Sequence, residues 1–348
     1  MSIQPPSSVT SIDKANHDET SMICPCCGSS SATKQFPLVH SSMWSCHDCG
    51  VSYVYPRAST EAMLNKLQLW AEQDVVDKDR LQQSFSPENL NYYRRFLDWM
   101  TPFASAGDQT LLDIGCSTGA FLSVSGEAGW QSSGIEIGKA SASYATNTLG
   151  LQVTQGSLYD WQGEPESYGA VSLIEVIEHL EFPGEALEQA YRLLKPGGVI
   201  LVTTPNFNSL YRRLFGNRWW VVNCEDEHIV LFTLDSLQKL LVAHGFEVKF
   251  LRICGIDLLG ITRSALGRFR GEKSTLINEE TAATEYYQGR SRKQTVKQLL
   301  SKLGLLKVVK SILKLFDTLF SLRWSPLFQW GEQLVVIATK PTAPKSAP

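Results

Sequence analysis

The residues of this chain that could do chemistry fall into three groups. The first is a pair of cysteine knuckles, CPCC at 24–27 and CHDC at 46–49, which places Cys24, Cys27, Cys46 and Cys49 in a C-x2-C-x18-C-x2-C spacing with Gly28 and Gly50 directly after. Two tight turns bringing four thiolates together suit tetrahedral Zn²⁺, and a glycine after each second cysteine lets backbone amides turn toward the sulfurs. Cys26 offers an alternative pairing with Cys24, and His47 could replace a thiolate. A structural zinc is the expectation. A secreted disulfide pair is disfavoured, because MSIQPPSSVTSIDK carries no apolar leader.

The second group is acidic and imidazole-bearing. Glu175, Glu178 and His179 lie in EVIEHL after an apolar run, and His228 lies in EDEHIVLF. An imidazole with an ordinary pKa of about 6.5 can take a proton from a hydroxyl, which makes His179 the candidate general base. Glu175, Glu178, His179 and His228 together could instead ligate an octahedral divalent ion. Between them, TPNFNSLYRRLFGNRWWVVN supplies Asn206 at a strand end and Trp219–Trp220 as a possible acceptor lid, with Arg212, Arg213 and Arg218 nearby to grip an anion.

The third group is LLDIGCSTGAF at 111–121, where a buried-strand run ends in Asp113 and opens through Gly115 and Gly119 into a helix. Such a turn lets main chain approach a nucleoside cofactor, with unpaired helix N–H groups behind it. The spacing is G-x-x-x-G, so a dinucleotide is disfavoured. Glu136, 23 residues beyond Asp113 in WQSSGIEIG, falls where an open α/β sheet offers a carboxylate to a ribose. GSLYDW, YGAVSLIEVIEHL and LLKPGGVILVTTPN follow in order as further strand ends and turns.

With these blocks in place the chain resembles the class I S-adenosylmethionine-dependent methyltransferases, in particular a subgroup with an N-terminal zinc ribbon and an EVIEHL motif. The resemblance runs from about residue 20 to 340 and is specific as a set of motifs rather than in any one of them. It implies an α/β fold with a doubly wound, Rossmann-like seven-stranded sheet, a small zinc ribbon and a helical insertion before the last strand. It further implies that Asp113, Gly115, Cys116 and Gly119 form the cofactor floor, and that Glu136 and Ile137 hold the ribose. Ser157 and Leu158 would border the adenine, and Glu175 would reach the cofactor. Many relatives carry an aspartate where Ser157 stands. EVIEH with His228 resembles the metal site of small-RNA 3′-terminal 2′-O-methyltransferases, and EVIEH alone that of quinone-biosynthesis O-methyltransferases. The expected activity is O-methylation of a small-molecule or glycan/lipid-linked acceptor. The alternatives are metal-dependent RNA ribose methylation, C- or N-methylation of a sugar, and a non-catalytic cofactor-binding scaffold.

The elements that must position these groups follow from the patterning. Residues 1–20 read as a polar tail, 21–57 as the ribbon and 58–108 as a helical lead-in containing the amphipathic NYYRRFLDWM. Residues 109–340 read as the catalytic domain with an insertion at 254–331, and 341–348 as a tail. The resemblance implies that FEVKFLRI and EQLVVIATK pair as an antiparallel hairpin across that insertion. At 43% hydrophobic residues, 348 residues can bury a full core, and a net charge of −3 gives no global pull toward nucleic acid or membrane. Cys116, Cys224 and Cys254 read as free thiols in a cytoplasmic protein. One segment departs from this balance: 290–323 carries nine Lys or Arg against Asp317, with paired apolar residues at helical period. It reads either as a peripheral contact with an anionic membrane or as a packed helix with a solvated lysine face.

Overall fold

A computed structural model describes residues 22–105, 107–255 and 330–342. The tail at 1–20, the basic segment at 290–323 and most of the 254–331 insertion lie outside the described residues. The chain begins with three short antiparallel strands, β1 (Ala32–Pro37), β2 (Ser42–Cys46) and β3 (Ser52–Tyr55). Three helices follow: α1 (Thr60–Val76), α2 (Lys78–Ser84) and α3 (Pro87–Met100). Ser59, Asp77 and Ser86 start them by accepting backbone N–H bonds from the first turn, satisfying donors a helix leaves open. The amphipathic stripe of α3 buries Phe96, Leu97 and Met100.

Alternation of strands and helices then builds the main sheet. Its parts are β4 (Thr110–Ile114), α4 (Ala120–Glu127), β5 (Gln131–Glu136), α5 (Lys139–Asn147), β6 (Gln152–Gln155), β7 (Tyr168–Ile174), α6 (Pro183–Leu193) and β8 (Leu194–Pro205). Two short helices, α7 (Leu210–Phe215) and α8 (Trp220–Asn223), lead to β9 (Val230–Leu231) and α9 (Leu234–Ala243). The antiparallel hairpin of β10 (Glu247–Cys254) and β11 (Gln333–Thr339) closes the sheet. The strand order is β10-β11-β8-β7-β4-β5-β6, seven strands as the sequence implies, with only β11 antiparallel to its neighbours.

Helices cover both faces, so the central strands are mostly apolar: Ala170, Val171, Leu173, Ile200, Leu201 and Val202 are fully buried. Winding reverses between β4 and β7, and the carboxyl ends of these strands open the crevice where ligands of such sheets bind. One pairing is invisible in the sequence pattern. β9, only two residues long, adds to β3 and joins the small sheet to the segment that follows β8, with Tyr53 opposite Val230 and Ser52 opposite Leu231. Among the described residues, no helix is long and apolar enough to cross a membrane.

Candidate cofactor and acceptor site

At the end of β4 the chain turns through Gly115 (φ +72°) and Gly119 (φ +86°). A Cβ on Gly115 would stand 2.6 Å from Val176, and one on Gly119 would overlap Leu151, so sterics and backbone conformation both require glycine. Between them Ser117 also has positive φ, +49°, a strained state held by its surroundings. Its N–H donates to Glu136 Oε2 at 2.8 Å, while Gly138 N–H donates to Oε1 at 2.6 Å. The Glu136 carboxylate thereby locks the β4–α4 turn to the end of β5. Burial raises its pKa and the two amide bonds oppose that rise. Beneath lies Asp113, which accepts from Ser172 Oγ at 2.6 Å; burial pushes its carboxyl up to about 7.

The other residues implied for the cofactor divide by role. Cys116 is buried under Gly134, where a Cβ would meet its Sγ at 2.5 Å, and burial raises its thiol; it is a packing residue. The Ile137 carbonyl accepts from Gln68 of α1 at 2.7 Å, and Gln68 accepts from Lys139 N, so α1 lies across the β5–α5 turn. Ser157 Oγ accepts from Tyr159 N at 3.3 Å, and Leu158 belongs to the core. Glu175 has φ +55° after β7, and one carboxylate oxygen accepts from both Thr203 Oγ1 and Gln333 Nε2 at 2.8 Å. Gln333 also bonds the Tyr92 hydroxyl from α3.

The histidines form a tighter group, and Glu175 is not in it. Ligand atoms of Glu178, His179 and His228 lie within 4.8 Å of one another, and the two rings are 4.8 Å apart between centroids. Each Nδ1 bonds a backbone carbonyl, His179 to Glu227 at 2.9 Å and His228 to Val221 at 2.7 Å. A ring donating from Nδ1 keeps a lone pair on Nε2, which is how metal-ligating histidines are set. Burial lowers His179 to about 3, with His228 adding to the shift, and lowers His228 to about 4. Both are neutral at pH 7. Glu178 is buried on the turn Ile177–His179, and burial with the nearby Glu175 charge raises it strongly. Its Oε2 makes no hydrogen bond of good geometry among the described residues, the Thr204 side chain nearby opposing the rise, while Oε1 is 4.0 Å from His179 Nε2. Two imidazoles and a buried carboxyl whose ligand atoms converge fit a divalent cation of the kind that takes mixed nitrogen and oxygen ligands.

The loop after β8 divides in two. Asn206 is fully buried, donating to Gly331 O at 2.7 Å and accepting from Asn208 N at 2.9 Å, so it ties the end of β8 to the approach of β11 instead of facing an acceptor. Trp219, expected as half of a lid, is wholly buried, packs with Met43, Val54 and Phe207, and donates from Nε1 to Glu332 at 3.1 Å. It is a core residue, because the small sheet lies over it. Trp220 is 37% exposed and stands edge-on to His228 at 6.1 Å. Arg212 stacks on Phe207 at 4.1 Å, and Arg213 holds Asn208.

In the small sheet the Sγ atoms of Cys24 and Cys49, and of Cys27 and Cys46, are 3.5 Å apart, and all four ligand atoms converge. Gly28 and Gly50 take positive φ with N–H bonds back to Cys24 O and Cys46 O. His47 bonds Thr33 outside this group, and Cys26 packs between the small sheet and the main core. The cluster is compatible with a structural zinc.

Residues 82–249 match the family described as a methyltransferase domain, and this span holds the glycine turn, Glu136 and the histidine cluster. The chain carries an S-adenosylmethionine-dependent methyltransferase domain. It is similar to the ubiquinone biosynthesis O-methyltransferase of Pseudomonas entomophila, 27% identical over 120 residues that cover 32% of this chain and 51% of the relative. The same enzyme of Stutzerimonas stutzeri is 30% identical over 118 residues, with the same coverage. The chain thus spans about half the length of these curated relatives. Among solved structures, phosphoethanolamine N-methyltransferase 2 of Haemonchus contortus, in complex with S-adenosyl-L-methionine, shares the fold at a TM-score of 0.50 and 17% identity. The alignment covers 83% of this chain and 62% of that one.

Sequence reasoning about the methyltransferase domain missed Tyr92, Thr203 and Gln333, which fix Glu175, and Glu225, described below. Tyr92 carries a faint signal, a hydroxyl-bearing residue on the stripe of an amphipathic helix. Gln333 carries none, since its role depends on β11 returning after the insertion.

Proposed function

We propose that the methyltransferase domain transfers the methyl group of S-adenosylmethionine to a hydroxyl of a small-molecule or glycan-type acceptor, with Glu178, His179 and His228 holding a divalent cation at the acceptor end and the four cysteines holding zinc. The supporting observation is the convergence of ligand atoms of Glu178, His179 and His228 within 4.8 Å of one another, with both Nδ1 atoms already bonded to backbone carbonyls, on the same rim as the Gly115–Gly119 turn. The turn offers backbone to the cofactor, and Glu136 offers carboxylate lone pairs to its ribose. Asp113, raised to about 7, regains its charge when a cationic ligand approaches.

Methyl transfer is an in-line displacement, so holding sulfonium and acceptor oxygen in register supplies much of the rate. A histidine lowered to about 3 is a weak base at neutral pH, which favours His179 as a ligand over His179 as the proton acceptor. A divalent ion, when bound, lowers the pKa of a coordinated hydroxyl. The half-exposed Trp220 gives an acceptor ring a face to stack on beside His228.

The test is transfer from methyl-labelled cofactor into a fractionated lysate, with small-molecule, lipid and RNA pools counted separately, before and after chelation of exchangeable metal. Label should enter the small-molecule or lipid-linked pool, fall at least tenfold on chelation and return with Mn²⁺ or Mg²⁺. The lipid pool tests the acceptor class that the basic 290–323 segment would suit. Label confined to RNA, or transfer indifferent to chelation, overturns the reading.

A further inference from the structure

The small sheet touches the acceptor end through two separate ties. The first is a chain of main-chain bonds: Val54 N–H of β3 donates to Ile229 O at 3.0 Å, and Ile229 N–H donates to Glu178 O at 3.0 Å. The backbone of one cluster residue, Glu178, and the neighbour of another, His228, are thus fixed by a strand of the cysteine-held sheet. The second is Glu225, only 3% exposed. Its Oε1 accepts from His40 N–H at 2.8 Å and its Oε2 from the Ser41 hydroxyl, both on the turn between β1 and β2. β2 ends at Cys46.

The segment so held is short and dense in function. Glu225 fixes it, the Glu227 carbonyl orients His179, His228 is a cluster member, and Ile229 carries the bond to Glu178. It is folded on itself by Glu227 N–H and His228 N–H bonds to Cys224 O at 3.0 and 2.7 Å. β9 follows at once, and a two-residue strand is too short to stand alone; its ladder partner is β3. From the opposite side, Lys66 of α1 pairs with Asp226 and Glu227 at 3.5 and 3.4 Å.

We propose that the cysteine-held sheet is the positioning element of the Glu178–His179–His228 cluster, setting the distance of His228 from the Glu178–His179 turn through the Val54–Ile229–Glu178 bonds and the Glu225 clamp. Its metal readout rests on the function proposed above, and its exchange readout does not. Outer-shell partners of metal ligands are worth about 10–100-fold in metal affinity, so the effect is measurable without turnover.

The experiment compares full-length wild type with Glu225→Ala, the milder Ser41→Ala, and Cys27→Ser, which disables the cysteine cluster. Three quantities are measured: amide hydrogen exchange of 224–231, Mn²⁺ affinity by electron paramagnetic resonance, and S-adenosylmethionine affinity by calorimetry. Glu225→Ala and Cys27→Ser should speed exchange in 224–231 and weaken Mn²⁺ about tenfold or more. Exchange in 110–136 and cofactor affinity should stay within twofold. Ser41→Ala should move the same readouts less, and it decides the matter if Glu225→Ala does not fold. Exchange and Mn²⁺ affinity at wild-type level in Cys27→Ser and Glu225→Ala overturn the proposal. If the wild type takes up no Mn²⁺, the metal reading fails and exchange alone decides: faster in the variants supports the positioning role, equal overturns it.

Discussion

The proposed cofactor end and the proposed acceptor end of the rim are assembled over different distances along the chain. The tie that locks the cofactor turn, Ser117 to Glu136, spans 19 residues, and the turn lies within one strand–helix–strand unit. The tie that fixes the acceptor loop, Glu225 to His40, spans 185 residues, and the loop's companions come from after β7 and from the small sheet. A site made inside one supersecondary unit forms whenever that unit forms. A site made from three distant segments depends on each of them and can be altered through any one. Loss of function at the two ends should therefore be separable.

The sharpest test of that separation is His228→Ala. Methyl transfer should fall about 100-fold or more, the scale of losing a positioned catalytic group, while S-adenosylmethionine affinity measured by calorimetry stays within twofold. A joint loss would show that the two ends are one unit. The converse variant, Glu136→Ala, removes charge-assisted bonds worth about 1.5–3 kcal/mol. Cofactor binding should weaken tenfold or more with Mn²⁺ affinity unchanged, and unaltered cofactor affinity would end the ribose assignment.

The smallest effect is the share of the pH dependence of stability that His228 contributes. His228 falls from 6.5 to about 4 on folding, so between those values the unfolded chain binds the extra proton. Its contribution to stability is complete above pH 6.5 and is lost as pH falls toward 4, at no more than about 1.4 kcal/mol per pH unit. Asp113 and Glu178 are raised and act in the opposite sense, so the measurement is a difference between wild type and His228→Asn in denaturant titrations. A difference that does not change between pH 7 and 4.5 would show that His228 titrates normally.

The same contrast explains what could be read in the sequence. The count of seven strands and the final hairpin came from the family resemblance that the sequence blocks carry, while the strand runs and the glycine turn follow from local apolar runs and turn residues, which act over a few positions. The convergence of four cysteines is legible for the same reason, since metal-ligand spacing is a local constraint. Sequence brought His179 and His228 under suspicion by residue type, but the separation of Glu175 from them came only from Thr203 and Gln333 holding its carboxylate. Trp219 misled because tryptophan beside arginines suits a lid equally well; its burial is decided by the small sheet lying over it. β9 was missed because two residues leave no periodicity to detect.

The hairpin that closes the sheet has a further consequence. The chain leaves at Cys254 and returns at Gln333, and those residues face each other in the ladder, with Glu332 N–H closing on Gly255 O at 3.0 Å. The two strands thus close into a stem at this end of the hairpin. The stem opens at the carboxyl rim, where Leu210 N–H meets Trp330 O and Asn206 N–H meets Glu332 O. The exit at Gly255 and the return at Trp330 are therefore both anchored by main-chain bonds, to each other's strand and to the loop after β8, so the last strand's place in the sheet is fixed from both of its ends.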